Sequence, residues 1–165
     1  MILIGFMGCG KTTIAQELGR RLNKEVVDLD DIIPQLAKKS IPEIFAQDGE
    51  TAFRQYEFQA LQKTLQKDSI ISTGGGVITF DASYDYLESL KTPILFLNAP
   101  FKDLYERIQS DQNRPLGNQD YDKVHALYQS RLDRYKHLAD KEISTVQTIA
   151  ETADEIIDFI EKSSS

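Results

Sequence analysis

The run Gly5-Phe6-Met7-Gly8-Cys9-Gly10-Lys11-Thr12-Thr13 constrains this chain more than any other stretch. It fits G-x-x-x-x-G-K-[ST] and has the neighbours that pattern requires. Before it stands the apolar Ile2-Leu3-Ile4, read as a buried strand. After it Ile14, Leu18 and Leu22 fall at i, i+4 and i+8, the stripe of a helix packed on one side. Glycines at such a strand-to-helix turn let consecutive backbone N–H groups face inward as a nest for phosphate oxygens, and the helix N-terminus adds positive potential. Gly8, Cys9, Gly10, Lys11, Thr12 and Thr13 are therefore expected to bind a nucleotide, with Lys11 on the outer phosphates and the Thr12 hydroxyl on Mg²⁺. With Gly at about 7% of residues, a chance match in a chain this long is on the order of one per cent. Cys9 reads either as a thiol activated by the helix N-terminus or as a small residue filling a tight loop, and the second is the commoner case.

The remainder alternates strands and helices. Val26-Val27 is a strand running into Asp28-Leu29-Asp30-Asp31, and 31–67 is expected to be mainly helical, broken near Pro34 and Pro42. Its last helix carries Phe53, Tyr56, Ala60 and Leu61 on one face. Further strands are expected at Ser69–Thr73, stopping at Gly74-Gly75-Gly76, at Pro93–Leu97 and near Glu142–Ser144. Helices are expected around 100–109, over the stripe Val124, Leu127, Tyr128, Leu132 and Tyr135, and over Ala153, Ile156, Ile157 and Ile160. Residues 110–119 carry Pro115 and Gly117 without apolar periodicity and read as a loop, and the closing serines as a frayed tail. Five strands separated by helices imply an α/β fold, a parallel sheet covered on both faces, with ligands gathered beyond the strands' carboxyl ends.

At 165 residues the chain is expected to form one domain, 1–165. Its net charge of −7 argues against a nucleic-acid partner. No apolar run reaches the roughly 18 residues of a membrane span, and the Gly-rich N-terminus is too short for a signal peptide. One cysteine excludes an internal disulfide and fits the cytoplasm.

A nucleotide-switch GTPase would carry D-x-x-G and N-K-x-D. Neither occurs, since Asn23-Lys24-Glu25-Val26 lacks the final acid. A small-molecule kinase remains in front, and its acceptor site has to be sought at the other strand ends. Asp28 and Asp30, two apart, point the same way if the stretch is extended. They serve either as a water-mediated Mg²⁺ contact and a hydrogen-bond acceptor for the substrate hydroxyl, or as a solvated helix cap. Arg54 and Glu57 stand at i, i+3 and can touch. Arg131 interrupts an apolar stripe, so it faces either an internal acid or an anionic ligand.

Taken together, GFMGCGKTT, DLDD, IPEIFAQDGETAFRQYE, STGGG, NRPL and RLDRY, in this order and through nearly the whole chain, resemble the shikimate kinases. The resemblance implies a three-layer P-loop kinase fold with a five-stranded parallel sheet, a shikimate-binding region at about 29–60 and a mobile lid at about 110–119. It implies transfer of the γ-phosphoryl of ATP to the 3-hydroxyl of shikimate by a monomer, with Mg²⁺ as cofactor. Asp30 then matches the acid that binds the acceptor hydroxyls and accepts the proton, and Asp28 the acid that reaches Mg²⁺ through water. Arg54 and Arg131 match the clamp on the shikimate carboxylate, with Glu57 positioning Arg54 and Gly74, Gly75 and Gly76 letting backbone approach the ring. Arg114 matches the lid arginine that meets the transferring phosphate, and Arg107 the arginine against adenine. Lys11, Asp30 and Arg114 would form the catalytic set. The chain departs from the family pattern in its short first strand, in Asp133 where a proline is usual, and at Val146-Gln147-Thr148, where no side chain is assigned to adenine. The rival readings are another P-loop metabolite kinase, such as a gluconate kinase, and a nucleotide-binding regulator without turnover.

Overall fold

The computed structural model describes residues 1–111 and 120–165. Its centre is β1 (Ile2–Ile4), three residues with no exposed surface, flanked by β3 (Ser69–Ser72) and β4 (Ile94–Asn98). The less buried β2 (Glu25–Asp28) and β5 (Lys141–Ser144) form the edges of an all-parallel sheet in the order β2-β3-β1-β4-β5. Burial on both faces explains why the inner strands read as continuous apolar runs rather than alternating ones. The first crossover leads from β1 to β2 and a later one from β3 to β4, in opposite directions along the sheet. A crevice therefore opens beyond the carboxyl ends of β1 and β3, where Gly5–Gly10 and Gly74–Gly76 lie.

The helices around the sheet are α1 (Lys11–Leu22), α2 (Leu29–Ala37), α3 (Ile41–Gln47), α4 (Gly49–Thr64), α5 (Asp81–Ser89), α6 (Phe101–Ser110), α7 (Tyr121–Leu138) and α8 (Ile149–Ser163). A 3-10 turn, Val77–Thr79, precedes α5. On α1 the expected stripe points inward, with Ile14 and Leu18 buried, and Gly19 admits β2 closely: a Cβ there would stand 2.4 Å from Val26. The last helix starts on a capping box, Thr148 and Glu151 each accepting the other's backbone N–H. The usual proline's place in α7 is taken by Asp133, and the helix runs its 18 residues without interruption.

Two local expectations change. Pro34 does not break the helical segment but lies inside α2, and the break comes at Lys38, which turns left-handed with φ 56°. Pro34 sacrifices one hydrogen bond, at roughly 3 kcal/mol in a helix interior. Burial of Leu29 and Ile33 against the core offsets this at roughly 1.5–3 kcal/mol each. Pro42, by contrast, does mark a start, in the first turn of α3. The second change concerns the acids. The chain leaves the extended conformation at Asp28, so Asp30 belongs to the first turn of α2 and the strand's two-residue period does not align the pair.

Candidate functional site

The phosphate-binding loop is built on conformations that only glycine adopts freely. Gly8 has φ 83° and Gly10, the N-cap of α1, has φ 93°. No side chain caps α1 and no acid stands in its first turn, so its leading N–H groups and positive potential are left to an outside anion. Lys11 Nζ donates to the Gly5 and Phe6 carbonyls at 2.5 and 3.2 Å and approaches Cys9 Sγ at 3.5 Å, which holds its charge over the loop. The Cys9 side chain is fully buried and takes no part in the cavity wall, in keeping with a filler residue.

This loop is one wall of a cavity of about 570 Å³ that also takes in Thr12, Thr13, Asp28, Asp30, Arg54, Glu57, Gly74–Gly76 and Arg131. Most residues expected at the site, though separated by up to 123 positions in sequence, thus share one space. Asp28 caps α2, one carboxylate oxygen accepting the Asp30 N–H at 2.9 Å. The cap and cavity-facing readings of this residue are therefore compatible, because a carboxylate has a second oxygen. Partial desolvation in the cleft raises the carboxyl of Asp28 above its usual range, and does the same to Asp30, with the neighbouring Asp28 charge adding to the effect.

Glu57, on α4, is fully buried and accepts from Arg54 Nη1 at 2.8 Å, while Glu50 lies 3.5 Å from the same guanidinium. Burial pushes the Glu57 carboxyl up and the Arg54 charge opposes it. Its other oxygen, Oε2, has no hydrogen-bond partner among the described residues and faces Gly74, where a Cβ would come within 3.1 Å. Arg131 differs. Among the described residues it has no carboxylate in ion-pair contact; its guanidinium stands 5.8 Å from the Phe6 ring centroid and its Nε is buried without a partner. Among the described residues the internal-acid alternative finds no ion pair, Glu57 feeling the Arg131 charge without contact, and the Arg131 side chain lines the cavity.

The glycine turn also acts differently from the simplest expectation. A Cβ on Gly76 would meet Arg54 Nη2 at 2.3 Å, so its missing side chain makes room first of all for a guanidinium. Arg107 lies outside the cavity wall and joins loops, donating to the Gly8 carbonyl at 3.1 Å and to the Thr145 carbonyl at 3.0 Å. Arg114, and residues 112–119 of the expected lid, lie outside the described residues. Sequence reading missed Phe45 and placed Phe53 only on the apolar face of its helix; the two rings pack 4.6 Å apart and line the cavity. The available signal was an aromatic at a polar helix position: Phe45 is 44% exposed.

Coordination by Mg²⁺ has suitable donors here. Thr12 and Asp28 both line the cavity with hard oxygens, and no cluster of three potential metal-ligating acids, histidines or cysteines occurs among the described residues. That suits a cation held by one or two protein groups, water and substrate phosphates.

Comparison with known proteins relates the chain as a whole to one family. The shikimate kinase family model matches residues 7–161. Shikimate kinases of Staphylococcus haemolyticus and Staphylococcus aureus are each 37% identical, covering 97% and 99% of this chain and 93% and 94% of theirs. Among solved structures, the shikimate kinase of Acinetobacter baumannii in complex with shikimate superposes with a TM-score of 0.87 at 31% identity, covering 98% of this chain and 92% of that one. The shikimate kinase of Aquifex aeolicus gives 0.85 at 32%, covering 99% and 96%.

Proposed function

This chain belongs to the shikimate kinase family, and we propose how its residues divide the work of moving the γ-phosphoryl of ATP onto the 3-hydroxyl of shikimate. The reading rests above all on one observation: Arg131, without an acid partner among the described residues, and Arg54 line the same cavity as Asp30 and the phosphate loop. Two guanidiniums suit a carboxylate, which accepts paired N–H bonds. A carboxylate held there leaves the ring hydroxyls toward Asp30.

The free N–H groups of α1 and the Lys11 ammonium hold the β- and γ-phosphates, after Lys11 exchanges its loop carbonyls for phosphate oxygens. Thr12 and Asp28, which line the cavity, would hold Mg²⁺, and the ion would supply neutralisation of phosphate charge. Asp30 accepts a hydrogen bond from the 3-hydroxyl and aligns it. As the hydroxyl oxygen bonds to the γ-phosphorus, the bond to the bridging β–γ oxygen breaks, ADP leaves with that electron pair, and the proton passes to Asp30. A raised Asp30 pKa makes the carboxylate a better acceptor for that proton. Glu57 keeps Arg54 in place, Arg114 adds charge to the transferring group, and Arg107 supports the adenine side. The loose transition state demands mostly positioning and charge neutralisation, which these residues supply. The single cysteine supports a cytoplasmic site of action, and no helix among the described residues is long and apolar enough to cross a membrane.

The test is a turnover assay with ATP, Mg²⁺ and a panel of hydroxy acids. Shikimate should be phosphorylated at the 3-position and gluconate at a small fraction of that rate. Equal or better turnover of gluconate would favour the rival kinase reading, and binding without any turnover the regulator.

A further inference from the structure

Arg54 and Arg131 come from α4 and α7, and the segment between them is the glycine turn. The Arg54 guanidinium lies against Gly76, so closely that a Cβ would stand 2.8 Å from its Cζ. Arg131 Nη1 is 3.6 Å from the place a Cβ of Gly75 would take. Two guanidiniums from distant helices therefore rest on consecutive residues of one backbone segment. The segment leads from β3 into the 3-10 turn, whose Val77 and Thr79 N–H groups bond the Gly74 and Gly76 carbonyls. The Gly75 carbonyl is left for a partner from elsewhere in the fold. Upstream, Thr73 donates its N–H and its hydroxyl to the Leu3 carbonyl, at 3.3 and 2.8 Å. Downstream, Arg134 donates to the Ile78 carbonyl at 2.8 Å. Between these, the Tyr135 hydroxyl donates to the Gly75 carbonyl.

Tyr135 is built as a rigid strut. It follows Arg131 by one helical turn, its side chain is fully buried, and its ring stacks on Phe96 of β4 with centroids 5.0 Å apart. Its hydroxyl thus refers the glycine turn to the sheet and also meets the Arg131 side chain one turn earlier on the same helix. We propose that Tyr135 is a positioning residue for the acceptor: through the Gly75 carbonyl it sets the spacing at which Arg54, seated on Gly76, and Arg131 meet one carboxylate. This deepens the preceding reading and rests on it, since it takes the two arginines as the carboxylate's receptors. Paired N–H bonds to a carboxylate need tight placement, so a small relaxation of the turn costs binding rather than chemistry.

The experiment compares Tyr135→Phe, Gly76→Ala and Arg131→Leu with the unaltered enzyme, measuring kcat, both KM values, melting temperature and binding of a shikimate analogue without the carboxylate. Tyr135→Phe keeps the stacked ring and removes one donor. It should raise KM for shikimate about 10-fold, the scale of one hydrogen bond, with kcat and KM for ATP within about twofold and analogue binding unchanged. Gly76→Ala places a carbon where the Arg54 guanidinium lies and should raise KM for shikimate more, by at least ~30-fold, because Glu57 and Phe53 restrict where that guanidinium can go. An unchanged KM for shikimate in Tyr135→Phe overturns the proposal, as does equal loss of the analogue or failure of that variant to fold. An unchanged KM in Gly76→Ala overturns the seating of Arg54 by itself. Arg131→Leu separates the two levels. If it binds shikimate normally, the carboxylate reading fails. If it binds at least ~10²-fold more weakly while Tyr135→Phe is unaffected, only the positioning role fails.

Discussion

Two helices point their N-termini into the same cavity, and they are finished in opposite ways. At α1 the cap is a left-handed glycine, no side chain accepts the leading N–H groups, and the first turn contains no acid. At α2 the Asp28 carboxylate caps the helix and Asp30 and Asp31 occupy the first turn. The fold's other helices follow the second pattern where a cap is built, with Ser40 on α3 and Thr148 on α8. An uncapped N-terminus left positive is a receptor for phosphate, whereas a capped and acidic one presents carboxylates to a hydroxyl. Under the proposed function the difference gives opposite electrostatic tasks to two ends of one cleft, and it can be tested from either side.

The largest effect is expected at the α1 end. Lys11→Met should lower kcat by roughly 10³-fold, since it removes charge aimed at the transferring group, while shikimate binding without nucleotide stays as it was. Calorimetry in the two conditions checks this. An equal loss of shikimate affinity would break the division between the two ends.

At the α2 end, Asp30→Asn should lower kcat by about 10²-fold with ATP affinity little changed. It should also make the ligand-free protein slightly more stable at neutral pH. The Asp30 carboxyl is raised in the folded state, chiefly by desolvation, so folding is favoured by its protonated form. That contribution is complete below the unfolded value of about 3.9 and is lost as pH rises through the folded one. At pH 7 the ionised side chain is therefore a liability that asparagine removes. The gain in Tm should stay below the ~2–4 °C that 1 kcal/mol brings at this size, because Asp30 is only partly desolvated and keeps exposed surface that screens its charge. Melting curves at pH 7 and near pH 4 check the sign, as the difference should fade at the lower pH. A variant less stable than the parent at pH 7 would make Asp30 a structural acid.

The smallest effect separates the two duties of Asp28. Asparagine caps a helix about as well as aspartate, so Asp28→Asn should melt near the parent while needing more Mg²⁺ for half-maximal rate. Asp28→Ala should show the same Mg²⁺ dependence and lose a further ~1 kcal/mol of stability with the cap. A normal Mg²⁺ requirement in both would return Asp28 to capping alone.

Much of this was legible before any coordinates. The phosphate loop is contiguous, and its chemistry resides in backbone and in one lysine, so a nine-residue pattern between a strand and a helix was enough to place it. Four strands were visible as short apolar runs and β5 as a weaker stretch around Ile143, with ends displaced by at most one residue. Residues 77–89 were not visible. The 3-10 turn and α5 bury few side chains in helical spacing, with only Ser83 and Leu87 buried on α5, so periodicity carried little signal. Pro34 misled for the opposite reason, since its local cost was plain in the sequence and the packing that offsets it was not.

Sequence by itself determined the chemistry available: glycines and a lysine for phosphate, two acids after the second strand, arginines on two later helices. It also determined that the loop glycines, the lysine and the acids lie at strand ends, because a parallel sheet delivers its connections there. Only the tertiary structure decided what each side chain meets. Arg54 and Arg131 are the same residue type on two helices, yet one is paired with Glu57 and the other lines the cavity without an acid among the described residues. Gly76 is a spacer for a guanidinium from 22 residues upstream, and Tyr135 reaches a carbonyl 60 residues away. Such relations depend on distances between groups remote in the chain. A local pattern cannot encode them, because packing fixes those distances only once the core has closed.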